Sequence, residues 1–377
     1  AASTGGQLMP PIMGAAAFLM VEFIGRGITY WEIAKAAAIP ALLYFTGIWI
    51  MTHFEAKRLG LRGLSDEEMP NRKEVLKKIY LLIPILLIIV LMLTGTPVMK
   101  AALYGVLACI LVGMFNKDTR LGPIDIIDAL VDGARTALGV VAATACAGII
   151  VGVVVKTGLG LALANSLVKL AGGSIMLTLF LVMIASLVLG MGAPTTANYV
   201  ITSTIAAPAI LTLLAPNTPM ELVPLVTVMS AHFFVFYFGI IADITPPVAL
   251  AAFAASGISG GDPIKTGVHS AKLAIAAFII PYMIVLQPAL LMVDVTILQI
   301  VWVTFSAIIG MIGIGAGIIG YWYRKLMWFE RIILIGAGLA MIYPETISDI
   351  TGLVVFVIMF VIQFIGNQKG HEPKAIA

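Results

Sequence analysis

Apolar residues gather into long runs, at about residues 8–24, 31–53, 79–95, 98–116, 137–156, 174–213, 222–256, 268–291, 295–321, 329–344 and 350–366. Most approach the roughly 20 residues that a helix needs to cross a hydrocarbon core. The pattern predicts an all-α polytopic membrane protein. Two runs are too long for one crossing. The run 174–213 is interrupted by GMGAPTT and predicts a re-entrant hairpin that enters and leaves on one side. The run 222–256 is broken by Asp243, Thr245, Pro246 and Pro247, which predicts a discontinuous helix. Two other stretches are amphipathic. PIDIIDALVDGAR, with Asp125, Asp128 and Asp132 on one helical face, and LALANSLVKLAGG read either as arms lying along the membrane interface or as ordinary loop helices.

Composition reinforces this picture: the 377 residues are 61% hydrophobic and 11% charged, with a mean hydropathy of +1.09. Such a balance excludes a soluble globular chain. The net charge of +3 does not point to nucleic acid, because the basic residues sit in short links between apolar runs. They act as topology signals instead. The segment EAKRLGLRGLSDEEMPNRKEVLKK carries seven Lys and Arg and is expected in the cytoplasm. Counting outward places the loops with Lys117, Arg120 and Arg135, with Lys265 and Lys272, with Arg324, Lys325 and Arg331, and the C-terminal tail with Lys369 and Lys374 on that same side. APNTPMELV, PETISD and the turn at Asp294 fall outside. The alternation works only if 174–213 does not cross. Cys109 and Cys146 lie inside apolar runs, with no metal or disulfide spacing, and read as packing residues. The chain opens AASTGGQLMPP, with no initiator Met and no signal-peptide pattern, so a fragment of a longer membrane protein is expected.

The chain also repeats itself. QLMPPIMGAAAF at 7–18 matches DITPPVALAAF at 243–253; aligned on the proline pairs, Gln7 falls on Asp243 and Gly6 on Ala242. The loop charges run the first broken helix from inside to outside and the second from outside to inside, so the two units are inverted. Inverted repeats with broken helices are the architecture of many secondary transporters, with binding near the midplane. A proline pair removes an N–H and clashes with the preceding turn, leaving backbone groups without intrahelical partners. In hydrocarbon such groups persist only where protein, water or an ion satisfies them. Carbonyls with Ser and Thr hydroxyls suit a hard cation, and half-helix N-termini suit an anion. Pro40, Pro84 and Pro281 read as simple kinks.

The motifs STGGQLMPPIMGAAAF, GMGAPTTANYVITSTIAAPAI and ADITPPVALAAFAASG resemble the large membrane subunit of the tripartite ATP-independent periplasmic (TRAP) transporters, over roughly residues 1–290. They are most similar to the fused permeases that work with a TAXI-class binding protein. The resemblance implies an elevator-type importer driven by an ion gradient, usually sodium, that receives its solute from a periplasmic binding protein in the inner membrane of a bacterial or archaeal cell. It further implies two ion sites, each formed by a hairpin and a broken helix. The second would use Gly190, Met191, Gly192, Ala193, Pro194, Thr195 and Thr196, with Asn198 nearby, against Ala242, Asp243, Ile244, Thr245, Pro246 and Pro247. Gly192, Thr195, Asp243 and Thr245 are the sodium candidates. The first would use Ser3, Thr4, Gly5, Gly6 and Gln7 beside Pro10 and Pro11, with a first hairpin that this sequence lacks. A small membrane subunit, separate or fused, is an implied partner, and this polypeptide alone is not expected to transport.

On this reading the chain divides into five parts. Residues 1–53 end a first inverted repeat; 54–78 form a cytoplasmic basic loop; 79–136 are scaffold spans and a connecting arm. Residues 137–291 hold the second repeat, and 292–377 add C-terminal spans and a cytoplasmic tail.

Asp243 is the strongest single residue, since an acid at membrane depth is costly and functional by default. It can ligate a cation, carry a proton or cap the second half-helix, so sodium and proton coupling both stand. His232 lies too far along its helix to pair with Asp243 and reads as packed or interfacial. Asn198, Thr202 and Ser203 follow the hairpin tip and either line a solute path or bond to helix carbonyls. Glu22 and Glu32 are expected in solvent, and FFVFYF at 233–238 facing lipid or packing. No GxxxxGK[ST], HExxH or GxSxG motif occurs, so neither ATP-driven transport nor common hydrolysis has support and no cofactor beyond the coupling ion is expected. The competing classes are a stand-alone anion symporter of related architecture, a membrane-embedded enzyme, for which Asp243 has no evident catalytic partner, and a structural scaffold, which leaves two costly helix breaks unexplained.

Overall fold

The computed structural model describes residues 1–11, 13–65, 69, 71–94, 96–115, 120–343 and 345–369. Lys117 and Lys374 of the basic loops, and Ile12 of the first proline-broken segment, lie outside the described residues. Among those residues the regular structure is helical, with one isolated bridge between Tyr321 and Lys325. Among the described residues six helices are long and apolar enough to cross a bilayer: Tyr30–Leu59, Thr195–Leu214, Leu225–Ile244, Pro263–Leu286, Ile297–Ile319 and Thr346–Gly366. The chain is an all-α, multi-pass membrane protein.

It opens with α1 (Ala2–Gly5), α2 (Ala15–Ile24) and α3 (Tyr30–Leu59). Thr29 and Glu32 exchange cap bonds at the start of α3, and Gly60, left-handed at φ 67°, ends it. The helix therefore runs past residue 53, and the basic segment begins inside it. Glu22 and Glu32 are exposed, as expected. Next come α4 (Arg72–Lys77), α5 (Ile83–Leu93), α6 (Val98–Gly113) and α7 (Pro123–Thr157). The expected arm at 123–135 and the expected span at 137–156 thus form one continuous helix, because no proline separates them.

Gly158, at φ 67°, precedes α8 (Leu159–Leu170), and the helix axis there bends by 70°. Gly160 puts α8 tight against the Thr204 carbonyl. The second amphipathic stretch is therefore packed against the following helices rather than being a free loop helix. These are α9 (Ile175–Gly190), α10 (Thr195–Ile205) and α11 (Ala207–Leu214), and the last two fold back along α9 as a helical hairpin. The remaining helices are α12 (Leu225–Ile241), α13 (Leu250–Ser259), α14 (Pro263–Leu273), α15 (Ile275–Leu286), α16 (Ile297–Ile319), α17 (Trp328–Ala340) and α18 (Thr346–Lys369).

The chain forms two compact units, one of Ala1–Leu61 with the residues from Cys146 onward, the other of Arg62–Ala145. In the smaller, α5 and α6 pack side by side, with Ile88 seated on Gly105. In the larger, α12 is the axis of the core. Every residue from Val228 to Ile241 is buried, and α9, α10, α11 and α15 surround it. The FFVFYF run is therefore interior packing, the second of its two readings; Phe234 and Phe238 pack edge-on against Tyr282 of α15. Cys109 and Cys146, expected to be packed, are exposed, because the apolar helices that carry them present those faces outward.

Candidate functional site

Both proline pairs break a helix in the same way. Past α12 the backbone tightens into a 3-10 turn at Ala242–Ile244, leaves helical geometry at Thr245 and resumes as α13. Past α1 the chain likewise leaves helical geometry before α2. The backbone repeats in detail: Met13 N–H donates to the Met9 carbonyl and Ala249 N–H to the Thr245 carbonyl, each at 3.2 Å. Met13 and Ala249, which align, both hold positive φ, at 48° and 39°. The Pro10–Pro11 and Pro246–Pro247 bonds are both cis.

The second break meets the hairpin. The tip between α9 and α10 spans Met191–Pro194, where Gly192 turns at φ 75°. Gly190 closes the contact: a Cβ there would overlap the Asn198 amide and come within 2.9 Å of the Ala242 Cβ. Gly239 does the same from α12, with its Cβ position 3.3 Å from the Asn198 side chain. Asn198 is fully buried between these two glycines, its Nδ2 donating to the Gly239 carbonyl at 2.6 Å. Its Oδ1 is buried without a partner among the described residues. A side-chain carbonyl left so is costly. It lies in the packed contact of α10 with Gly190 of α9 and Gly239 of α12.

The sequence candidates fall around this point. Met191, Gly192 and Pro194 are exposed at the tip, Ala193 and Thr195 are half-buried and Thr196 is buried. Ala242 and Ile244 are buried, whereas Asp243, Thr245 and Pro246 are half-buried and Pro247 is exposed. The Thr245 hydroxyl donates to the Ile241 carbonyl at 2.8 Å, which keeps its oxygen lone pairs at the break. Asp243 forms no salt bridge among the described residues. The Thr202 and Ser203 hydroxyls bond to helix carbonyls, the blander of their two readings.

Next to Asn198, Tyr199 reaches across to α12, its hydroxyl 2.8 Å from His232 Nδ1. Both are buried, and Phe23 of α2 and Phe236 pack edge-on against the tyrosine. His232 is thus a packed histidine, as expected, but its partner was not foreseen. A single sequence carries no signal for a pair 33 positions apart.

The residues of the first candidate site lie elsewhere. Thr4 and Gly5 are buried and Ser3 and Gly6 exposed. Gly5 sits on Tyr44 and Phe45, while the Tyr44 hydroxyl donates to the Ala1 carbonyl and the Tyr30 hydroxyl to that of Pro11. Pro10 is half-buried, and Gln7 Oε1 is a second buried acceptor without a partner. Ser3 and Thr4 face α13 and α14 across an open groove of about 600 Å³ with Thr266, His269 and Ser270 on its far side.

Residues 1–298 match the family model of the tripartite ATP-independent periplasmic transporter, DctM component. The chain belongs to this family. It is accordingly the large membrane component of a TRAP transporter, a multi-pass inner-membrane permease subunit with a periplasmic binding protein as its partner. No individual curated protein matches it. Both breaks and the hairpin fall within the matched segment of the DctM component; α16 begins at its edge, and α17 and α18 lie beyond it.

Proposed function

We propose that this DctM component couples entry of sodium to uptake of a small organic carboxylate, delivered by a TAXI-type periplasmic binding protein, by an elevator movement assisted by a small membrane subunit. The observation that carries this reading is the buried, unpartnered Asn198 Oδ1 where hairpin and broken helix meet. Around it, the tip residues Gly190–Thr196 and the break Ala242–Pro247 offer backbone carbonyls, the Thr195 and Thr245 hydroxyls and the Asp243 carboxylate. That donor set is all oxygen and suits a hard cation. Gly192, Thr195, Asp243 and Thr245 are the proposed sodium ligands, with Ser3, Thr4, Gly5 and Gly6 forming a second site around the first break. The N-terminal ends of α10 and α13 favour an anionic solute group at the same level.

The test is uptake into proteoliposomes holding the permease with its small subunit and binding protein. An inward sodium gradient at equal pH on both sides should drive accumulation, and a proton gradient in sodium-free medium should not. The reverse result would replace sodium by the proton at Asp243.

A further inference from the structure

The helices after the matched segment carry a buried acid of their own. α16 and α17 cross on glycine: a Cβ on Gly310 would lie 2.8 Å from the Gly338 carbonyl, and α18 closes on α17 through Gly352. Where the three meet, Asp349 in the first turn of α18 is 5% exposed and Ser306 of α16 is 3% exposed. Trp302 Nε1–H donates to Asp349 Oδ2 at 3.1 Å. The Ser306 hydroxyl lies 2.8 Å from Asp349 Oδ1 and 2.6 Å from the carbonyl oxygen of Met341, which caps α17.

A serine hydroxyl has one hydrogen to donate. It can serve one of these two oxygens, so the other contact must hold a proton on the carboxyl or a cation. Nor does charge balance: among the described residues no Lys, Arg or His pairs with Asp349. α16 faces it with Trp302 and Ser306, α17 with the Met341 carbonyl at the negative end of that helix, and α18 itself with its positive N-terminal end, in whose first turn Asp349 sits. Buried charges are paired, neutralised by a proton or bound to a metal. Trp302 and Gln299 line an open cavity of about 490 Å³ shared with Gln287 and Pro288.

We infer that Asp349 Oδ1, Ser306 Oγ and the Met341 carbonyl oxygen form a binding site for one hard monovalent cation of the sodium type, separate from the hairpin site. One carboxylate balances one positive charge, and oxygen donors select a hard ion. Trp302, bonded to the same carboxylate, is the local reporter.

The experiment uses the full chain with Trp302 as its sole tryptophan, the other four being replaced (Trp31→Phe, Trp49→Phe, Trp322→Phe, Trp328→Phe). Sodium chloride is titrated against choline chloride at constant ionic strength while Trp302 emission is followed. A saturable change is expected in the parent, none in Asp349→Asn, and a midpoint about 10–100-fold higher in Ser306→Ala. An identical response in Asp349→Asn overturns the site, as does a response to acid with none to sodium. Should Asp349→Asn fail to fold, an unshifted midpoint in Ser306→Ala overturns it equally.

Discussion

At the scale of single residues, the hairpin site rests on small side chains that admit a polar one. Gly190 and Gly239 both face Asn198; a Cβ has no room at Gly190 and would be tight at Gly239. Gly190→Ala should therefore destabilise the protein by about 1–3 kcal/mol through overpacking, and thermal unfolding in detergent reads that directly. Gly192→Ala, two residues on, meets no neighbour but must hold φ 75°, so its cost is backbone strain and not a clash. The Tyr199–His232 bond behaves differently. Tyr199→Phe leaves a buried imidazole nitrogen unpaired and should cost about 1–3 kcal/mol, whereas His232→Phe with Tyr199→Phe removes both partners and should cost less than the sum of the two single changes. Simple additivity across this double-mutant cycle would mean that the bond couples nothing.

At the scale of elements, the proline pairs were legible because proline removes a donor wherever it stands, and their spacing from Gln7 and Asp243 showed the repeat. The structure extends that likeness to the backbone, since Met13 and Ala249 take the same left-handed turn and the same bond back to residues 9 and 245. The hairpin was legible from its length and its GMGAPTT interruption. What the sequence could not show is which surfaces meet. The aromatic run at 233–238 reads alike for a lipid-facing helix and for a core helix, and only its neighbours make it core. Asn198 was visible as a candidate, but not the two glycines that enclose it. The glycine crossing of α16 and α17 gives an element-scale prediction: Gly338→Leu should separate the pair and lower thermal stability by at least about 1–3 kcal/mol, while Gly336→Leu, whose Cβ position is open, should change it little.

At the scale of the whole molecule, a chain that is 61% hydrophobic in runs of spanning length had one plausible solvent, and its family followed from motifs that the fold then placed in register. The ion and the solute were not legible. Backbone carbonyls supply much of any such site, and every residue type has one, so composition says little about what is bound. In the proposed mechanism the hairpin tip and the broken helix hold sodium with help from Asn198. Its most direct measurement is the sodium concentration that half-saturates solute uptake by the complete transporter, compared between the parent and Asn198→Ala. An increase of about tenfold or more is expected, with the binding protein's own affinity for solute unchanged. A half-saturating concentration identical to the parent's, in a variant that still transports, would contradict it.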